Sequence, residues 1–175
     1  GVASAYDNAR LLLVGDGPEK ENLQDNVANM GIADKVHFTG MIHHADVPCY
    51  LTTADAFLIS STSETFGISV VEAMAAGLPV LGIDSPGIRD IIIDGQTGFL
   101  SSDDLPSFTA KMARLVSDHE LRRQMGVAAF KASETYDIRL TTQSMIQQYQ
   151  KLVGLSRPRK NGLRFRINRL FDFWR

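Results

Sequence analysis

The chain has 175 residues, 44% of them hydrophobic and 22% charged, with a formal net charge of −2 and one cysteine, Cys49. These totals suit one ordinary soluble domain or a domain with an appendage, and a lone cysteine excludes an internal disulfide and fits a reducing compartment. Ser156 to Arg175 holds seven basic residues and one acidic, a net of +6, which leaves 11 basic and 19 acidic residues in the body, a net of −8; an acidic body excludes nucleic acid as the partner of that surface.

In chain order, "RLLLVG" is a short apolar run that closes on Gly15 and predicts a strand. The turn "DGP" and a helical pattern follow, with Leu23, Val27 and Met30 on one side. "KVHFTG" predicts a second strand ending at Gly40, "VPCYLTTA" a short helix, and "AFLIS" a third, buried strand. A helix is expected from about Gly67 to Ala76, then a fourth strand at "PVLGI". "IRDIII" reads as short helical or irregular chain and "TGFL" as a short strand. Three helices are expected at the end, near 105–116, 119–134 and 139–153.

Short apolar strands that alternate with helices imply parallel pairing with helices on both faces. The predicted fold is therefore α/β, a doubly wound Rossmann-like parallel sheet. Ligands of such sheets bind beyond the carboxyl ends of the strands. The loops after "LLLV", "VHF" and "AFLI" would line that site. No apolar run approaches a bilayer-spanning length, and no basic-then-apolar leader is visible at the N-terminus, so a cytoplasmic protein is expected.

The segment "SETFGISVVEAMAAGLPV", residues 63–80, sets Glu72 inside an apolar helix and Glu64 just before its start. Thr65, Phe66, Gly67 and Ile68 fall near the helix N-terminus, where backbone N–H groups lack internal partners and attract phosphate. Gly67 would permit close approach of a ligand. Glu72 could accept two hydroxyls of a sugar at once. The alternative is that Glu64 caps the helix and Glu72 faces water.

"SETFGISVVEAMAAGLPVLG" closely resembles the E-x7-E signature of retaining glycosyltransferases of family 4, the group 1 glycosyltransferases. "LLLVGDGPEKENLQ", "VHFTGMI", "ADAFLISS" and "PGIRDIIIDGQTGFL" resemble further family segments, so the likeness runs in order from about Arg10 to Leu100. The resemblance implies one half of a GT-B fold, with residues 1–155 as its C-terminal donor-binding domain and 156–175 as a tail. It implies that Glu64 lies beside the donor sugar as the catalytic glutamate and that Glu72 holds the ribose hydroxyls. Phe66, Gly67 and Ile68, with Thr65, would face the sugar and diphosphate. Gly15 would lie near the phosphates, and Gly40, Met41 and Ile42 would border the base. The implied donor is a UDP- or GDP-sugar and the implied acceptor a glycan or lipid-linked glycan. No metal or other cofactor is implied, and no aspartate pair here forms a metal-binding D-x-D.

Three departures from the family pattern stand out. Its phosphate-binding Arg and Lys lie upstream of "LLLVG", on a segment this chain does not carry, so the fragment is expected to be inactive without its partner N-terminal acceptor domain. Where the pattern has Gly-Gly, two residues and Glu, this sequence reads Pro86, Gly87, Ile88, Arg89, Asp90. His43 and His44 follow the base-pocket loop and read first as solvated. Other readings are a non-catalytic nucleotide or sugar-phosphate binding module, and a sugar-nucleotide epimerase, which the pattern matches less well.

In the tail, Leu163, Ile167, Leu170, Phe171 and Trp174 share one helical face, with Arg164, Arg166, Arg169 and Arg175 around the rest. That pattern suits an anionic membrane surface, which would bring the protein to the inner face of the membrane. The alternative is packing against the N-terminal domain.

Overall fold

Five short strands form two parallel sheets in the computed structural model, which describes residues 2–155. The order is α1 (Val2–Ala5), β1 (Leu11–Val14), α2 (Lys20–Asn29), β2 (Val36–Gly40), α3 (Val47–Leu51), β3 (Phe57–Ile59) and α4 (Ile68–Ala75). Then come β4 (Val80–Ile83), α5 (Pro86–Arg89), β5 (Gly98–Ser101), α6 (Leu105–Ser117), α7 (His119–Ser133) and α8 (Ile138–Leu155). The chain divides into two compact units, the first ending at Asp137 and the second beginning at Ile138. Of the second unit the described part is α8, whose apolar residues Met145, Ile146, Tyr149, Leu152 and Val153 are exposed. The basic amphipathic face expected at 163–175 lies outside the described residues.

β1 pairs with β2, Leu11 opposite Val36, and the register shifts between Leu13 and Val14. β4 pairs with β3 on one side, Val80 opposite Phe57, and with β5 on the other, Val80 opposite Gly98. The apolar alternation of β4 fixes both helical layers. Val80 packs with Val70, Ala73 and Met74 of α4, Ile88 of α5 and Ala129 of α7. Leu81 points the other way, onto Phe99 of β5, Leu115 of α6 and Met125 of α7. A strand buried on both faces is what a helix-covered parallel sheet requires, and each such side chain contributes about 1.5–3 kcal/mol.

The last helices of the first unit start where side chains can close them. Asp104 accepts from the Ser107 N–H at 2.7 Å ahead of α6, and Asp118 from the Leu121 N–H at 2.9 Å ahead of α7. α2 forms as expected, and Leu23 and the C-cap Met30 on its apolar side are 45% and 70% exposed. Among the described residues no helix is long and apolar enough to cross a membrane.

Candidate functional site

Parallel strands bring their carboxyl ends to one edge of their sheet, so the loops after β1 and β2 share one edge and the loops after β3 and β4 another. The loop from β3 to α4 carries Glu64 to Gly67, and α5 holds it from beneath. Gly87 N–H donates to the Glu64 carbonyl at 3.1 Å, and the buried Ser85 hydroxyl donates to the Ser61 carbonyl at 3.3 Å. A Cβ on Gly87 would lie 2.6 Å and 2.7 Å from the Thr65 carbonyl carbon and oxygen, and would overlap the Glu64 carbonyl oxygen. Only glycine allows this backbone-on-backbone approach.

Neighbouring side chains brace the same corner. Arg89 Nε donates to Asp84 Oδ1 at 2.6 Å, tying α5 to the end of β4. The Arg89 hydrogen bond holds the Asp84 carboxyl below the usual carboxylate range. The Phe66 ring meets Tyr136 edge-on at 6.0 Å, and the Tyr136 hydroxyl donates to the Asp90 carbonyl at 3.5 Å.

At the start of α4 the N-cap is Gly67, and no side chain caps the helix. Glu64 therefore does not serve as its cap. Val70 and Val71 N–H groups bond the Gly67 carbonyl, while the positive end of the helix dipole faces the loop. Val70, Ala73 and Met74 are buried beneath, and Glu72 stands half-buried at the side of that face. Glu64 is likewise half-buried, whereas Thr65, Phe66 and Ile68 are exposed. The expected carboxylates thus sit on one loop-and-helix element, Glu64 before the uncapped end and Glu72 beyond its first turn.

The second group gathers at the ends of β1 and β2. Gly15 N–H donates to the Gly40 carbonyl at 3.1 Å, and both glycines have positive φ, 128° and 66°. The Thr39 hydroxyl accepts from Gly15 N–H at 3.4 Å and donates to the Gly40 carbonyl at 2.8 Å. Met41 follows, 79% exposed, and then Ile42, half-buried. His43 Nδ1 accepts from Ala45 N–H at 3.3 Å, a local turn contact.

Two residues here were not singled out from sequence. Lys20 Nζ bonds Asp16 Oδ2 at 2.9 Å, next to the space a Cβ on Gly40 would occupy. The Lys20 hydrogen bond, then the Gly17 N–H, holds the Asp16 carboxyl below its ordinary value. Their i,i+4 spacing was the available signal. Among the described residues no group of three or more His, Cys, Asp or Glu is placed to hold a metal ion.

Parallel strands covered by helices define an α/β domain of the Rossmann-like class. Residues 2–132 match the family described as Glycosyl transferases group 1, and the chain belongs to that family. It is 36% identical to the sulfoquinovosyl transferase SQD2 of Arabidopsis thaliana, over 97% of this chain and 34% of that protein. It is 35% identical to the N-acetyl-alpha-D-glucosaminyl L-malate synthase of Bacillus anthracis, over 89% of this chain and 40% of that protein. The chain therefore spans only about a third to two fifths of these relatives. The solved structure of Anabaena Alr3699/HepE in complex with UDP is similar at 25% identity and a TM-score of 0.74, over 86% of this chain and 43% of that one. The fold is the Rossmann-like α/β half of a GT-B glycosyltransferase.

Proposed function

We propose that this chain is the donor-binding half of a retaining glycosyltransferase that moves a sugar from a UDP- or GDP-sugar to a glycan or lipid-linked acceptor. The observation that carries the reading is the start of α4 with no side-chain cap, flanked by half-buried Glu64 and Glu72, with the Glu64–Thr65 backbone ahead of it packed on Gly87. UDP in the Anabaena structure supports the donor class.

In this reading Glu72 accepts the two ribose hydroxyls, and Gly40, Met41 and Ile42 border the base. Gly15 and the backbone of Phe66, Gly67 and Ile68 face the diphosphate and sugar, with Thr65 beside them. As the anomeric carbon leaves the diphosphate for the acceptor oxygen, negative charge grows on the leaving phosphate. Backbone N–H groups at the α4 start stabilise that charge, so no resident metal is required. Glu64 stands at the sugar end and acts there as the catalytic carboxylate. The acceptor must be held by an N-terminal domain, because unpositioned reactants forfeit most of the advantage of an active site. The isolated chain is accordingly inactive in transfer. The tail at 156–175 brings the enzyme to an anionic membrane surface, at the cytoplasmic side.

Calorimetric titration of the chain with UDP, GDP and their sugars tests the donor site. One nucleotide is expected to bind, and Glu72→Ala to weaken it by about 10- to 100-fold, the worth of a bidentate charge-assisted contact. Equal affinity in Glu72→Ala would refute the ribose assignment.

A further inference from the structure

The entrance to α4 is an inverse γ-turn. The Ile68 N–H donates to the Phe66 carbonyl at 2.8 Å, and Gly67 between them has φ −74° and ψ 75°. The Phe66–Gly67 peptide is trans, so with its carbonyl turned to Ile68 the Gly67 N–H points away from that bond. A turn closed by one hydrogen bond does not fix three residues unaided, because ordering them costs more than the bond returns. Its orientation is set by what the flanking groups rest on.

The backbone on either side of Phe66 lies against α5. The Glu64 and Thr65 backbone packs on Gly87, and Gly67 is buried, with the Ile88 side chain 3.1 Å from the place of its Cβ. Phe66 itself is 51% exposed, and its ring meets that of Tyr136 edge-on at 6.0 Å and 63°. Tyr136, which follows α7, is in turn fixed at both ends. Its ring packs against the core that includes Val70, Ile88, Ile91 and Ala129, and its hydroxyl donates to the carbonyl of Asp90, the C-cap of α5, at 3.5 Å. Phe66 thus leans on a ring anchored to the same short helix that carries Gly87.

We propose that Tyr136 is a positioning residue of the donor site: it holds Phe66, and through Phe66 the turn whose backbone meets the diphosphate. The inference rests on the donor-site reading above and adds to it a residue that touches neither the donor nor the reacting atoms. Its contribution is preorganisation. N–H groups already aimed at the place where charge grows need no rearrangement as the diphosphate leaves. Without the Tyr136 ring, Phe66 is left in solvent, the turn samples other arrangements, and binding must order it again. The loss falls on the phosphate end of the ligand, because Gly40, Met41 and Ile42, which border the base, follow β2 on a different loop. The ring carries the effect, since a hydroxyl contact of 3.5 Å is at the limit of a hydrogen bond.

Amide NMR titration of the chain with UDP and with uridine tests it, with GDP and guanosine in their place where GDP is the nucleotide bound. Tyr136→Leu removes the ring and keeps apolar volume, Tyr136→Phe keeps the ring, and Phe66→Leu removes the other half of the contact. Tyr136→Leu and Phe66→Leu are each expected to weaken UDP by about 3- to 10-fold, the worth of an aromatic pair, and to leave uridine unchanged. Tyr136→Phe should bind as the parent does, and the double Leu variant no worse than either single one. UDP bound equally by the parent and both Leu variants would overturn the inference alone. So would additive losses, or a loss as large for uridine as for UDP, since either marks a general effect on folding. A parent chain that binds neither nucleotide would sink the donor-site reading first and the inference with it. Where Tyr136→Leu does not fold, unchanged UDP affinity in Phe66→Leu overturns the inference by itself.

Discussion

Gly87→Ala tests whether α5 holds the Glu64 loop by backbone contact. The new methyl would lie 2.6 Å from the Thr65 carbonyl carbon and 2.7 Å from its oxygen, and would overlap the Glu64 oxygen. Carbon contacts settle at about 3.5–4.0 Å, so loop or helix must move by about 1 Å. All the obstructing atoms are main chain, and no rotamer change relieves them. Overpacking costs about 1–3 kcal/mol, and the Gly87 N–H bond to the Glu64 carbonyl adds about 1 kcal/mol if it breaks. The sum, about 2–4 kcal/mol, lowers the melting temperature of a domain this size by about 5–15 °C. Thermal and urea unfolding measure it, with Gly17→Ala as control, since nothing lies within 4 Å of a Cβ there. Stability of Gly87→Ala within about 0.5 kcal/mol of the parent, the range of a neutral surface change, would refute the close approach.

The Arg123 hydrogen bonds, then Gln124, lower the Glu120 carboxyl from its ordinary 4.5 to about 2. A carboxyl depressed on folding stabilises above its unfolded value and loses that contribution as pH falls through the folded one. Glu120→Gln should therefore be less stable than the parent at neutral pH, with the gap closing as pH drops from about 4.5 to about 2 in acid-unfolding curves; a pH-independent gap would contradict the assignment. Deleting residues 156–175 should abolish sedimentation with vesicles of anionic lipid and leave binding to neutral vesicles unchanged at a low level, whereas equal anionic binding with and without the tail would sink the membrane reading.

Much of the architecture was legible because its signals are local. "LLLV", "VHFTG", "AFLI" and "PVLGI" are short apolar runs between glycine and polar turns, and all became parallel strands. The apolar period of 105–116 and 119–134 gave α6 and α7 within a residue or two. The division into two sheets was not legible, since pairing partners are set by distant contacts that no local period encodes. At the site, Glu64 and Glu72 were singled out through their family context, because glutamate spacing alone also fits a cap and a solvated side chain. The role of Gly87 lay hidden in "PGIRD", where Pro86 at the first turn announced α5 but nothing announced which backbone the glycine would touch. Asp84 and Arg89 pair across the end of β4, a contact of tertiary geometry alone.

The central claim is one donor site built from two loop groups at the carboxyl edge, and backbone amide NMR during titration with UDP tests it most directly. The account predicts shifts concentrated at Gly15, Gly40 to Ile42, Phe66 to Ile68 and Glu72, saturating together with one affinity. Shifts centred instead on the opposite edge of the sheet, around Thr52, His119 and Arg122, or confined to one of the two groups, would contradict it.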